Sequence, residues 1–289
     1  MNIFKSQHNI NIKFNRIIAY ISDMHTLART GLLPDGSYNA DGKDLALLRN
    51  DGQEIIWRGW KKFIEICDYW KVDTVINGAD ACAGLNYKEG GRDVADTDLD
   101  IQKDAAITAL APLVKDRVYH AINGSTYHES RDVKIHREIA KRLESEHGAK
   151  ESQFHEFLAW IRLRNTNKLL NLAHKASNAM IYPETALGRE AFFMKIAESE
   201  NKLPKADYIV RGHLHHYFHI DSPTKHIIQL PCWQAWYPIK GSSRLYGRQP
   251  DIGGVIMFID DKNRTTVHHY LLKDMDLPHP HILDFVKKG

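Results

Sequence analysis

Apolar and polar positions change period along this chain, and each change marks an element. The first apolar run, RIIAYIS at 16–22, is short and dense, reads as a buried strand, and stops abruptly at DMHT. A loop containing Gly, Pro and Asn follows, GLLPDGSYNADG at 31–42. Over 54–70 the period lengthens. Ile56, Trp60, Phe63, Cys67 and Trp70 recur at spacings of four and three, which is one face of an amphipathic helix. DTVING at 73–78 is the next strand and runs into ADACAG, while Asp98 is placed to cap a helix through LDIQKDAAITAL. RVYHAI at 117–122 is a third strand, emptying into NGSTYHES. A charged helix over 133–147 then ends at Gly148, a residue suited to the left-handed position that closes a helix.

The remaining pattern predicts a helix over 152–165, a strand KLLNLA at 168–173 ending at His174, and a helix over 183–199 carrying Phe192, Phe193, Ile196 and Ala197. DYIVRG at 207–212 delivers the stretch VRGHLHHYFH at 210–219. If that stretch stays extended, His213 and His215 share one face, because side chains at i and i+2 of a strand point the same way. HIIQL, GGVIMFID and TTVHHYLL then alternate without helices between them, as antiparallel strands closing a second sheet do. Strand and helix alternation followed by strands alone predicts an α/β layered domain with mixed sheets. No internal repeat, low-complexity tract or Gly/Ser linker divides the chain, so one domain is expected over 1–289, with a core of about 16–272 and a C-terminal tail at 273–289.

A hydrophobic content of 43% supports a sizeable core. Lysine and arginine exceed aspartate and glutamate by 39 to 36, too even a balance to mark a nucleic-acid binder by charge alone, and the pI of 8.6 permits an anionic substrate without requiring one. Cys67, Cys82 and Cys232 are spaced like neither a zinc knuckle nor a disulfide framework, so they are expected to be reduced. The first sixteen residues lack the apolar block of a secretory signal, and no run approaches the roughly 18 apolar residues of a membrane span. A cytoplasmic protein with no membrane partner is the expectation.

The distinctive total is 17 histidines. In open α/β folds, ligands gather at the carboxyl ends of strands. Here those ends supply Asp23 and His25, Asp80, the loop from Ser125 to His128, His174, and His213 with His215. Carboxylate oxygen and neutral imidazole suit manganese, iron, zinc or nickel, and the absence of cysteine argues against a structural zinc site. So many donors exceed what one tetrahedral ion can use, so two cations sharing a bridging group are expected, about 3.5–4 Å apart and able to clamp a phosphoryl group.

The order of these motifs resembles the calcineurin-like metallophosphoesterases, whose pattern is D-x-H, G-D, G-N-H-[DE], a lone H, and G-H-x-H. This chain carries DMH at Asp23 and His25, GAD at Gly78 to Asp80, NGSTYHE at Asn123 to Glu129, AH at Ala173 and His174, and GHLH at Gly212 to His215. The resemblance spans 16 to about 260 and implies a four-layer αββα sandwich with two mixed β-sheets. Two departures stand out. Ala79 separates Asp80 from its glycine, and the third motif has Ser125 after Gly124 with the histidine three residues later. Phage and prophage members look similar in this loop, in the long loop after DMH and in the PCWQ segment.

Carried over residue by residue, the resemblance implies Asp23, His25 and His215 on one ion, and His174, His213 and Ser125 on the other. Asp80 would bridge them; Thr126 and Asn123 are rivals of Ser125. It implies two divalent cations, manganese first, with iron, zinc, nickel or magnesium as alternatives, and a phosphoester substrate, with nucleic acid a candidate. The reaction implied is phosphodiester hydrolysis by a metal-bridging hydroxide, with His128 as the catalytic histidine that protonates the leaving oxygen. Phosphomonoester hydrolysis is one alternative reading; a non-catalytic binding or assembly protein with a weakened metal site is another. Trp233 and Trp236 are substrate-contact candidates, whereas Trp57, Trp60 and Trp70 read as core. His216, His219, His268, His269, His279 and His281 are assigned no metal, and nothing in the chain specifies an oligomeric state.

Overall fold

The computed structural model describes residues 13–85, 87, 90–129, 135–175, 183–235 and 250–272. The expected C-terminal tail, Trp236, His279 and His281 lie outside them. The first strand, β1 (Phe14–Ile21), leads to helix α1 (Asp51–Tyr69), then β2 (Thr74–Asn77), α2 (Leu99–Val114), β3 (Val118–Ile122), α3 (Ile135–His147) and β4 (Glu151–His155). The chain continues through β5 (Ala159–Arg162), β6 (Leu169–Ala173), α4 (Pro183–Ser199), β7 (Tyr208–Arg211), β8 (Phe218–Ser222), β9 (Lys225–Gln229), β10 (Gly253–Asp260) and β11 (Thr265–Leu271). No described helix is long and apolar enough to cross a membrane.

Two mixed sheets result. One runs β11-β10-β1-β2-β3-β4 and the other β5-β6-β7-β9-β8. Strands β1 to β4 are parallel, as are β6, β7 and β9, while β10, β11, β5 and β8 run antiparallel to their neighbours. The period-two alternation of the first sheet divides its side chains between two cores. Ala19, Ile21, Val75, Tyr119, Ala121, Ile256 and Phe258 meet Ile56, Trp60, Phe63 and Cys67 of α1, Leu110 and Leu113 of α2, and Ile139 and Leu143 of α3. The alternate residues Ile18, Tyr20, Ile76, Ile122, Val255 and Met257 meet Leu170, Leu172, Tyr208, Val210 and Ile228 of the second sheet. Leu187 and Met194 of α4 cover that sheet's other face at Ile209 and Ile227. The layers are therefore helices, sheet, sheet, helix, as the motif resemblance implies.

Local signals explain most boundaries. Asn50 and Gln53 form a reciprocal capping box on α1, Asp98 accepts from the amides of Asp100 and Ile101, and Gly148 closes α3 at φ 75°. Four expectations are corrected. Residues 152–165 are not a helix but β4 and β5, because Ala159–Arg162 finds a partner in β6 across a turn with Asn165 at φ 61°. The stretch 210–219 is not one extended strand: β7 ends at Arg211, and β8 begins at Phe218 to pair with β9. Phe192 and Phe193 of α4 face solvent, while Leu187 and Met194 do the packing. The last strands do not close a second sheet together: β10 and β11 extend the first sheet beside β1, and β9 lies in the second, parallel to β7. The cysteines are all buried and free.

Candidate metal centre

All five expected strand exits lie at carboxyl ends of parallel strands, β1, β2 and β3 from one sheet and β6 and β7 from the other, and they empty into one place. Their donors fall into three overlapping groups, Asp23 with His25 and His215, His25 with Asp80 and His128, and Asp80 with His174 and His213. Within each group the donor atoms lie within 4.8 Å of one another.

The backbone turns sharply to achieve this. Asp23, His25, Asp80, His213 and His215 all have positive φ, between 43° and 76°. His213 and His215 thus diverge, each joining a different group, instead of sharing a strand face. Asp23 is fully buried and accepts from Ser22 Oγ at 2.5 Å and from the His213 amide at 2.9 Å through Oδ2. Its Oδ1 faces His215 Nε2 at 3.2 Å, His25 Nε2 at 3.7 Å and His174 Nε2 at 3.9 Å. His25 Nε2 and His215 Nε2 approach to 3.2 Å.

Asp80 is held from the β3 loop. The Ser125 amide donates to Oδ1 at 2.8 Å and its hydroxyl to Oδ2 at 3.1 Å. A Cβ on Gly124 would stand 1.9 Å from Oδ1, so only glycine allows this loop to come so close. His174 Nε2 is buried without a hydrogen-bond partner and lies 3.1 Å from Asp80 Oδ2. Because a carbonyl only accepts, Nδ1 of His174 must carry the proton it shares with Gly78 O at 2.7 Å, and Nδ1 of His128 likewise with Ala83 O at 2.6 Å. In both rings Nε2 is left as the working nitrogen.

Electrostatics follow from burial set against close opposite charge. Burial opposes ionisation of Asp23 and Asp80, but the imidazoles outweigh it and hold both carboxyls well below the ordinary range, His174 contributing most to each. Burial also disfavours charge on His174, yet Asp80 and Asp23 lift it to about 9; on His215 burial is likewise outweighed, by Cys232 and then by Asp23, and the group is raised. His25 is pushed down to about 4 by burial and by neighbouring His128. Two buried carboxylates thus draw a proton onto His174, and Asp23 adds to the pull on His215. Divalent cations carry charge to the same place, and the donor set of carboxylate and imidazole suits them.

Some expected residues lie elsewhere. Trp233 is corrected from a substrate contact to a core residue: its side chain is 1% exposed and packs edge-on against Trp60 at 4.8 Å and against Phe63. Only its backbone reaches the site, donating to Asp23 O at 3.0 Å. Thr126 is exposed, and Asn123 is buried with Oδ1 lacking a partner. His219 stacks on His226, and His268 and His269 are exposed on β11. Sequence reasoning missed Ser22 and the pair of half-buried Glu129 and buried His136. Ser22 was detectable as the polar end of an apolar strand. His136, which accepts from the Ala81 amide at 3.2 Å and lies 3.2 Å from Glu129 Oε1, carried no signal beyond its type.

No protein-family model matches the chain, and no curated protein matches it. Among solved structures it is similar to an archaeal phosphodiesterase at 13% identity and TM-score 0.45, covering 88% of this chain and 99% of that one. It is also similar to zinc-complexed Vps29 from Entamoeba histolytica, at 13% identity and TM-score 0.44, covering 90% and 94%. A third is a predicted phosphoesterase from Streptococcus pneumoniae TIGR4, at 10% identity and TM-score 0.34, covering 89% and 98%. Likeness at this level transfers neither ligand nor activity to this chain.

Proposed function

We propose that this chain is a dinuclear metal-dependent phosphoesterase acting on phosphodiesters. The observation that carries the reading is the convergence of Asp23, His25, Asp80, His174, His213 and His215 from two sheets into overlapping donor groups joined through shared residues. Asp23, His25 and His215 would hold one cation, His174 and His213 the other, with Asp80 between them and Ser125 or Asn123 beside the second. Bound there, two divalent cations, manganese first, would neutralise phosphoryl oxygens and make water acidic enough to attack phosphorus near neutral pH.

The chain's own groups do the rest. Ser22 and the His213 amide fix Asp23, Ser125 fixes Asp80, and the carbonyls of Gly78 and Ala83 fix two imidazoles, so the donors are ordered before any ligand arrives. His128, with Nδ1 committed to Ala83, delivers a proton from Nε2 to the departing oxygen. The phage-type resemblance rests on the third-motif loop, the loop after DMH and the PCWQ segment. A cytoplasmic, single-domain enzyme completes the proposal.

The test is hydrolysis of aryl phosphodiesters and monoesters by manganese-loaded protein, with bound metal counted by elemental analysis. Two metals per chain and a faster diester reaction are expected, with Asp80→Asn losing activity by at least roughly a hundredfold. A faster monoester reaction would replace the diester reading. Protein that takes up metal but hydrolyses neither would be a binding module, the reading favoured by a serine hydroxyl donated to Asp80 where an amide oxygen is usual.

A further inference from the structure

A row of rings leads outward from the metal centre on the side of His128. The His25 and His128 ring centroids are 4.3 Å apart, His128 meets Tyr127 edge-on at 4.9 Å, and Tyr127 meets Tyr87 at 4.9 Å. Tyr127 is half-buried; Tyr87 is 61% exposed and offers an open aromatic surface at the mouth of the site.

The base of this wall is built. Gly84, three residues before Tyr87, packs so closely that a Cβ there would stand 2.7 Å from His128 Cα and 2.8 Å from Tyr127 O. Fully buried Gln102 clamps Gly84 from both directions, accepting from its amide at 2.8 Å and donating to its carbonyl at 3.0 Å, and it donates to Asp96 O at 2.8 Å as well. Beside the other donor group, Lys175 directly follows His174 and is exposed. The site is therefore asymmetric, with an aromatic wall beside the proton donor and a cation beside the other donor group.

We propose that Tyr127 and Tyr87 form the subsite that receives a nucleobase on the leaving-group side of the scissile phosphate, making the substrate a nucleoside-bearing phosphodiester. This rests on the phosphodiesterase reading above. In the reaction water gives up one proton to solvent as its oxygen forms the new bond to phosphorus, the bond from phosphorus to the nucleoside oxygen breaks, and that oxygen takes the proton from His128, which solvent then replaces. The base is joined to that oxygen through one sugar, and Tyr127 is the ring next to the proton donor His128. Every base has a flat π-face, so stacking on tyrosine selects for a base without selecting which one.

The test is equilibrium binding of fluorescein-labelled thymidine dinucleotide and tetranucleotide, read by anisotropy, in the wild type, Tyr87→Ala, Tyr127→Ala, Tyr127→Phe and the distant surface control Tyr69→Ala, with near-ultraviolet circular dichroism confirming each fold. Each of the alanine variants at 87 and 127 should weaken binding roughly 5- to 150-fold, the effect of one lost stacking partner. Tyr127→Phe and Tyr69→Ala should stay within about twofold of the wild type. Equal affinity for the two probes identifies a small nucleotide, and tighter tetranucleotide binding a single strand; both support the subsite. A wild type that binds neither probe, alanine variants that bind like the wild type, or a phenylalanine variant as weak as alanine would each overturn it. Hydrolysis of diethyl phosphate by the wild type reports on the phosphodiesterase reading separately, because that diester has no aromatic group.

Discussion

Asp23, His25, Asp80, His213 and His215 each hold a left-handed backbone, which costs a residue with a Cβ about 1–3 kcal/mol. Such strain persists only where surroundings over-determine it. Here hydrogen bonds do so, with Asp23 N on Ala79 O, His25 N on Asp80 O and His213 N on Asp23 Oδ2. Gly124 is the tightest point of this packing. Gly124→Ala should drive the β3 loop off Asp80 and weaken manganese uptake at least roughly tenfold, measured by metal titration, because the added carbon would overlap Oδ1. His128→Asn should leave the metal count intact yet lower kcat by about 100- to 10,000-fold, the usual contribution of general acid catalysis. Metal loss in that variant would make His128 a ligand instead.

Elements were legible where a local signal and a tertiary role agreed. The spacing of Ile56, Trp60, Phe63 and Cys67 gives both a helix and the face it buries, and the Asn50 and Gln53 pair fixes where α1 starts. Asn50→Ala should cost about 1 kcal/mol in urea unfolding by freeing the Gln53 amide. Trp60→Ala should cost about 3–5 kcal/mol, since a fully buried indole that donates to Ala109 O and supports Trp233 is lost. Residues 152–165 misled because their apolar positions fit a helix nearly as well as two short strands. Pairing of Ile161 with Leu170 decided the matter, and no local pattern contains that contact. Trp233 misled for a related reason: its backbone sits at the site while its ring points into the core.

At the scale of the whole molecule, the fold also buries a histidine away from the site as a neutral group. His120 on β3 stacks on His155 of β4 with centroids 5.3 Å apart, and burial followed by that neighbour pushes it down to about 4. Its folded value lies below the roughly 6.5 of an unfolded chain, so between those pH values the unfolded state binds more protons. The stabilisation is complete above pH 6.5 and is lost as pH falls toward 4, on the order of 3 kcal/mol from this site. Urea unfolding at pH 7 and at pH 4.5 should therefore show a smaller difference in His120→Gln than in the wild type. An unchanged difference would mean that His120 is already charged in the folded state.

The sequence by itself determined most of the order of strands and helices through its two hydrophobic periods, the exceptions being 152–165 and 210–219. It also determined which polar residues stand at strand ends, because an apolar run that stops at Asp or His is a one-dimensional fact. Tertiary structure alone decided that those ends face one another, since parallel strands from two sheets must point the same way before Asp80 can lie near both His25 and His174. It likewise decided that His213 and His215 separate rather than align, because φ at each is set by packing against Asp23 and its neighbours and not by the period of the strand before them.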